Sequence, residues 1–87
     1  MLTKAQFTHA GLWAVYLGRT AVNIPVPVQG RCRRLLHALS YAVKPDDMNM
    51  PGMGYKVSSA THSLNVNGIY RVTYSWHDGK ANQIDFV

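Results

Sequence analysis

A guanidinium carried on a rigid strand can bind a phosphate through two hydrogen bonds and stabilise charge that develops on it during cleavage. Arg71 is the residue suited to that task. It lies mid-way along an alternating segment, between Tyr70 and Val72, with Thr73 and Ser75 on its own side. A second reading makes it an exposed strand arginine paired with Asp85 on the neighbouring strand, since cross-strand charge pairs are common. Histidine titrates near neutrality, so His62, beside a hairpin and near Lys56, is the candidate for proton transfer at the same surface. His9, His37 and His77 are scattered, and with Cys32 as the lone cysteine they lack the spacing of a zinc site. Neither a metal nor a cofactor is expected, because the chain has no glycine-rich nucleotide loop and no serine or cysteine nucleophile motif. Arg31, Arg33 and Arg34 form the densest basic cluster. They read equally well as a surface for phosphates or an acidic partner and as a solvated helix face.

The balance of charge bears on the same question. Nine Lys and Arg oppose four acids, all Asp, for a net charge of +5. That suits a polyanionic or acidic partner. A chain of 87 residues is expected to be one domain, residues 1–87, with a modest core. The lone cysteine rules out an internal disulfide and fits a reducing cytoplasm. The apolar stretch from Ala10 to Gly18 is closed by Arg19 with no good cleavage site after it, so neither a signal peptide nor a membrane partner is expected.

Those residues must be positioned by elements the sequence marks at its prolines and glycines. Met1 to Phe7 reads as a short edge strand or an extended lead-in. Thr8 to Leu17 reads as a helix with Leu12, Val15 and Tyr16 on one side and Gly18 as its stop. The longest helix begins near Pro27 and ends by Lys44, ahead of Pro45. Its apolar stripe is Val28, Cys32, Leu35, Leu36, Leu39 and Val43. A loop over 45–52 follows, with one turn capped by Asp46. The last third alternates as a β-meander: 63–66, then an Asn67-Gly68 turn of type I′, then 69–76, and finally 82–87. Helices first and strands after give an α+β fold, two helices packed on one face of a small antiparallel sheet. Leu35, Leu36, Leu39, Val72, Tyr74 and Trp76 are expected to share its core.

Two stretches taken together resemble the HigB-type toxins, or plasmid maintenance killer proteins, of the RelE/ParE superfamily. The segment Leu35-Leu36-His37-Ala38-Leu39-Ser40-Tyr41-Ala42, followed by Pro45-Asp46-Asp47-Met48-Asn49-Met50-Pro51-Gly52, is similar to that family's "L-x-A-L-x-x-A … D-M-N-x-P-G" passage. Ser63 to Tyr74, Asp78-Gly79-Lys80-Ala81 and Ile84-Asp85-Phe86-Val87 are similar to its "V-N-G-N-W-R-I-T-F … D-G-x-A-x-x-V-D" meander. The resemblance runs from Arg31 to Val87.

The resemblance implies a RelE/ParE-like fold and a toxin of a type II toxin–antitoxin system. Its partners would be a cognate antitoxin, the ribosome and messenger RNA. The implied activity is that of a metal-independent endoribonuclease, in which a ribose 2′-hydroxyl attacks the adjacent phosphate. Arg71 matches the family's strand arginine and would stabilise the phosphate, with Lys56 and His62 as further catalytic candidates. Arg31, Arg33, Arg34 and Tyr55 would bind RNA or antitoxin. The chain also departs from the pattern. Where the family carries "H-P-L-K-G" and several basic residues, this chain has the shorter Tyr55-Lys56-Val57-Ser58-Ser59-Ala60-Thr61 with no histidine in that place, and Ile69 replaces an asparagine. The family's closing Asp-Tyr-His would begin at Val87, so residues 1–87 are expected to bind RNA weakly and to cleave it poorly or not at all. The alternatives are a catalytically inactive module that binds antitoxin or RNA, and a ParE-like gyrase poison on the same fold.

Overall fold

The sheet sets the frame on which every candidate residue sits. In the computed structural model, which describes residues 1–87, four antiparallel strands follow one another in space in chain order. They are β1 (Lys56–Ser58), β2 (Thr61–Asn65), β3 (Arg71–His77) and β4 (Lys80–Phe86). β1 is absent from the sequence-based reading because it is three residues long and exposed throughout.

The β2–β3 register shows which local signal wins. A two-residue Asn67-Gly68 turn would place Leu64 opposite Arg71, and directly opposed residues share a face. Leu64 instead faces Val72 and Asn65 faces Arg71. The register slips by one, because one such step moves a whole apolar set to the wrong side. The connection is therefore a three-residue tip closed by the Val66 N–H donating to the Tyr70 carbonyl, 3.0 Å. Only Gly68 in it has positive φ, so the expected type I′ turn does not form. Asn65 and Asn67 stabilise the tip by accepting the N–H groups of Gly68, Ile69 and Tyr70.

On β4 a bulge at Gln83, whose φ is +50°, breaks the alternation. An extra residue on one strand lets Ala81 and Ile84, three apart, both face the core.

Helix α1 spans Ala10–Tyr16 and α2 spans Val26–Ser40. α1 is shorter than the expected Thr8 to Leu17, and His9 caps it, its Nδ1 accepting the Leu12 N–H at 3.2 Å. Val28, Cys32, Leu35, Leu36 and Leu39 of α2 are buried against Leu12, Val15, Leu64, Val72, Tyr74 and Ile84 in one core. Two members of the expected core and stripe depart from it. Val43 is 80% exposed, because α2 ends at Ser40 and the next residues turn away. Trp76 is half-buried at the rim of the core. The turn over Pro45–Met48 is held by Asp47 rather than Asp46: its carboxylate accepts the N–H groups of Val43 and Lys44.

The N-terminal segment forms no edge strand. It makes a 3₁₀ turn over Lys4–Gln6 and touches the outer edge of β4 through a single bridge, Phe7 to Ile84. Buried Gln6 donates to the Ala81 carbonyl and Thr8 to that of Ile84, which satisfies part of that edge. No helix is long and apolar enough to cross a membrane.

Candidate nucleic-acid interface

Because opposed residues share a face, the register alone sorts the polar side chains. Lys56 lies across from Ser63, Ser63 from Thr73, and Thr73 from Asp85. These four form one row across all four strands, on the face away from Leu64, Val72, Tyr74 and the helices. Arg71, paired with Asn65 and Val87, belongs to the adjoining row on the same face. The structure thus brings Arg71 and Lys56 together on the open face.

Arg71 is fixed there by two bonds. Its Nε donates to Ser63 Oγ at 3.0 Å and its Nη2 to the Gly54 carbonyl at 2.6 Å. Both anchors lie on the β2 side, so the guanidinium leans away from β4 and makes no ion pair with Asp85. No Lys or Arg pairs with a carboxylate; the one close contact of this kind is exposed His77 Nε2 to Asp78 Oδ2 at 3.3 Å, an ion pair only when the imidazole carries a proton. Nη1 has no hydrogen-bond partner in the protein and is not sealed from solvent. Asp85 is half-buried and spends one oxygen on the N–H of its own neighbour Phe86, 2.8 Å.

The loop after the 3₁₀ turn is clasped from both sides. Arg31 of α2 donates to the carbonyls of Gly52 and Asn65, the Asn65 N–H donates to Met53, and Arg71 takes Gly54. Gly54 has φ +61° and lies against Asn65 so closely that a Cβ there would come within 2.5 Å of the Asn65 Cβ. Arg33 is likewise occupied: its Nε donates to the Val15 carbonyl near the C-terminus of α1, a favourable place for a cation. Of the three helix arginines only Arg34 is exposed. The cluster is thus divided between two internal tethers and one free cation.

His62 faces the other way. It opposes Tyr74 and stacks on it at 5.2 Å, and on Tyr55 at 5.9 Å. Its Nδ1 shares a hydrogen with the Tyr55 hydroxyl at 2.8 Å. The structure therefore places His62 and Tyr55 on the core side and separates them from Arg71 and Lys56 by the thickness of the sheet. Burial and then nearby Asp46 push the Tyr55 hydroxyl above its ordinary pKa. Burial does the same more strongly for Tyr74, whose hydroxyl donates to the Pro45 carbonyl. Cys32, buried in α2, has its thiol pKa pushed up to about 11 by that burial, with Arg31 opposing weakly. No three His, Cys or Asp side chains gather into a group able to hold a metal ion.

Thr73 and Asp85 of the row also line a shallow hollow of about 300 Å³, together with Thr8, Thr61, Tyr74, Ser75 and Gln83. Sequence reasoning missed Ser63 and Gly54 as the anchors of Arg71. The parity of Ser63 against Leu64 marks its face, but only the register shows that it meets Arg71. Compared with models of known protein families and with curated proteins, the sequence matches none. What is established is the fold: two N-terminal helices on a four-stranded antiparallel meander.

Proposed function

We propose that this chain is a cytoplasmic toxin similar to the HigB branch of the RelE/ParE superfamily, and that its open sheet face is a surface for messenger RNA. The observation that carries the reading is the state of Arg71. A guanidinium pinned by Ser63 and Gly54 loses little freedom on binding and keeps one edge open for a phosphate. Lys56 stands across Ser63 from it as a second cation. Together they supply the positive charge that phosphodiester cleavage by a 2′-hydroxyl requires. The motif resemblance over Arg31 to Val87 adds the ribosome as the place of action and an acidic antitoxin as the protein partner. Exposed Arg34 is the helix cation free to meet that antitoxin.

His62 is not part of this surface, which favours a slow nuclease over a fast one. Losing one general acid or base lowers a rate by about 10²–10⁴-fold. The same observation favours a second reading, a toxin-like module that binds RNA and antitoxin without cleaving. The two are separated by presenting programmed ribosomes with the 87-residue protein and mapping the 5′ ends of the mRNA. Slow cleavage that disappears in Arg71→Ala supports the nuclease. Binding without cleavage supports the module, and no binding at low salt refutes both.

A further inference from the structure

We propose that Asp85 is the proton acceptor for the attacking 2′-hydroxyl, completing a row that runs across the sheet from acid to base. The inference rests on the RNA-cleaving reading above and assigns it the group that His62 cannot supply. In-line cleavage needs a base on one side of the phosphorus and an acid on the other. The row Lys56–Ser63–Thr73–Asp85 has that polarity, with an ammonium on β1, a carboxylate on β4 and two hydroxyl side chains between. Adjacent strands lie about 4.8 Å apart, so Asp85 stands roughly 10 Å from Ser63, where the Arg71 guanidinium is anchored. A phosphate on the free edge of Arg71 therefore has room for a ribose over Thr73, between Arg71 and Asp85.

Asp85 is also the one acid suited by elimination. Asp46 and Asp47 lie in the turn after α2, and Asp78 is paired with His77 in the β3–β4 turn. The carboxylate keeps an oxygen free because Phe86 occupies only one, and it stays unpaired because Ser63 and Gly54 draw Arg71 toward β2. In the step, the Asp85 carboxylate takes the proton of the 2′-hydroxyl as the 2′-oxygen–phosphorus bond forms. The bond from phosphorus to the 5′-oxygen breaks, and that oxygen takes a proton from the Lys56 ammonium. The products are a 2′,3′-cyclic phosphate and a 5′-hydroxyl, and solvent returns the proton from Asp85 to Lys56.

The test compares the wild type with Asp85→Asn and Lys56→Ala on ribosome-bound mRNA. One mRNA carries an ordinary scissile linkage, and the other carries sulfur at its 5′-bridging position, which leaves without protonation. Asparagine retains the oxygen that accepts the Phe86 N–H, so the fold is preserved. Asp85→Asn is expected to slow ordinary cleavage by about 10²–10⁴-fold with unchanged affinity for a 2′-deoxy mRNA, and sulfur should not rescue it. Lys56→Ala should be rescued by sulfur. Wild-type rates in Asp85→Asn, or rescue of that variant by sulfur, overturn the inference and leave the nuclease reading standing. Failure of the wild type to cleave either mRNA overturns both.

Discussion

Replacing Gly54 with alanine probes the joint between the loop and Arg71. At φ +61° an L-residue costs about 1–2 kcal/mol. Loss of glycine's freedom in the unfolded chain offsets about 0.4–1 kcal/mol of that. The added Cβ would also come within 2.5 Å of the Asn65 Cβ, an atom attached to the backbone of β2 rather than the tip of a flexible side chain. Overpacking of this kind adds about 1–3 kcal/mol. The net expectation is a loss of about 2–4 kcal/mol, or roughly 10–30 °C in Tm for a domain this small. Gly52→Ala is the control. It has φ +84° with nothing within 4 Å of its Cβ, so it should show the strain term alone, about 1 kcal/mol. Calorimetry or urea titration of both variants measures the difference. Because Gly54 is also the acceptor for Arg71, Gly54→Ala should weaken RNA binding well below its Tm, and Gly52→Ala should not. Equal Tm losses in the two variants would refute the close approach of the loop to β2.

Other outcomes follow from the core and the turns. Leu36, fully buried, should lose about 2–5 kcal/mol on truncation to alanine, read as a lower urea midpoint, and exposed Ile69→Ala should leave the midpoint unchanged. The Asp47 carboxyl is held below its ordinary pKa by the N–H groups of Val43 and Lys44. A depressed folded pKa stabilises the fold above the unfolded value, near 4, and that stabilisation is lost as pH falls through the folded pKa. Acid titration of Tm should therefore fall below about pH 4 more steeply in the wild type than in Asp47→Asn. Cys32 should resist thiol reagents at pH 8 in the folded protein and react fully in urea, since burial both shields it and raises its pKa to about 11.

Much of this architecture is written locally in the chain. The three- and four-residue spacing from Val28 to Leu39 sets the buried face of α2, and Gly18 follows α1 as expected, whereas α2 ends at Ser40, short of the limit that Pro45 sets. Register was not legible from turn chemistry, because Asn67-Gly68 favours a tip one residue away from the one that pairs Leu64 with Val72. The bulge at Gln83 was hidden for a related reason: Ala81 and Ile84 at a spacing of three fit no regular strand. The site was half legible. Alternation marks Arg71 as opposite in face to Val72, and the parity of His62 with Leu64 already assigns it to the core side. What no local pattern reveals is that Arg31, Arg33 and Arg71 spend donors on carbonyls of distant segments. Such bonds have no side-chain partner to show in the sequence, and they decide which cations remain free.

The proposed function requires RNA to lie on the open face of the sheet. It is tested most directly by titrating the isotope-labelled protein with a short single-stranded RNA at low salt and following amide and side-chain shifts by NMR. RNA on this face should give the largest changes at Lys56, Ser63, Arg71, Thr73 and Asp85, lost in Arg71→Ala and weakened by salt as phosphate contacts are screened. Changes confined to the helix side, around Arg34, Tyr41 and Tyr55, with the open face silent, would contradict it.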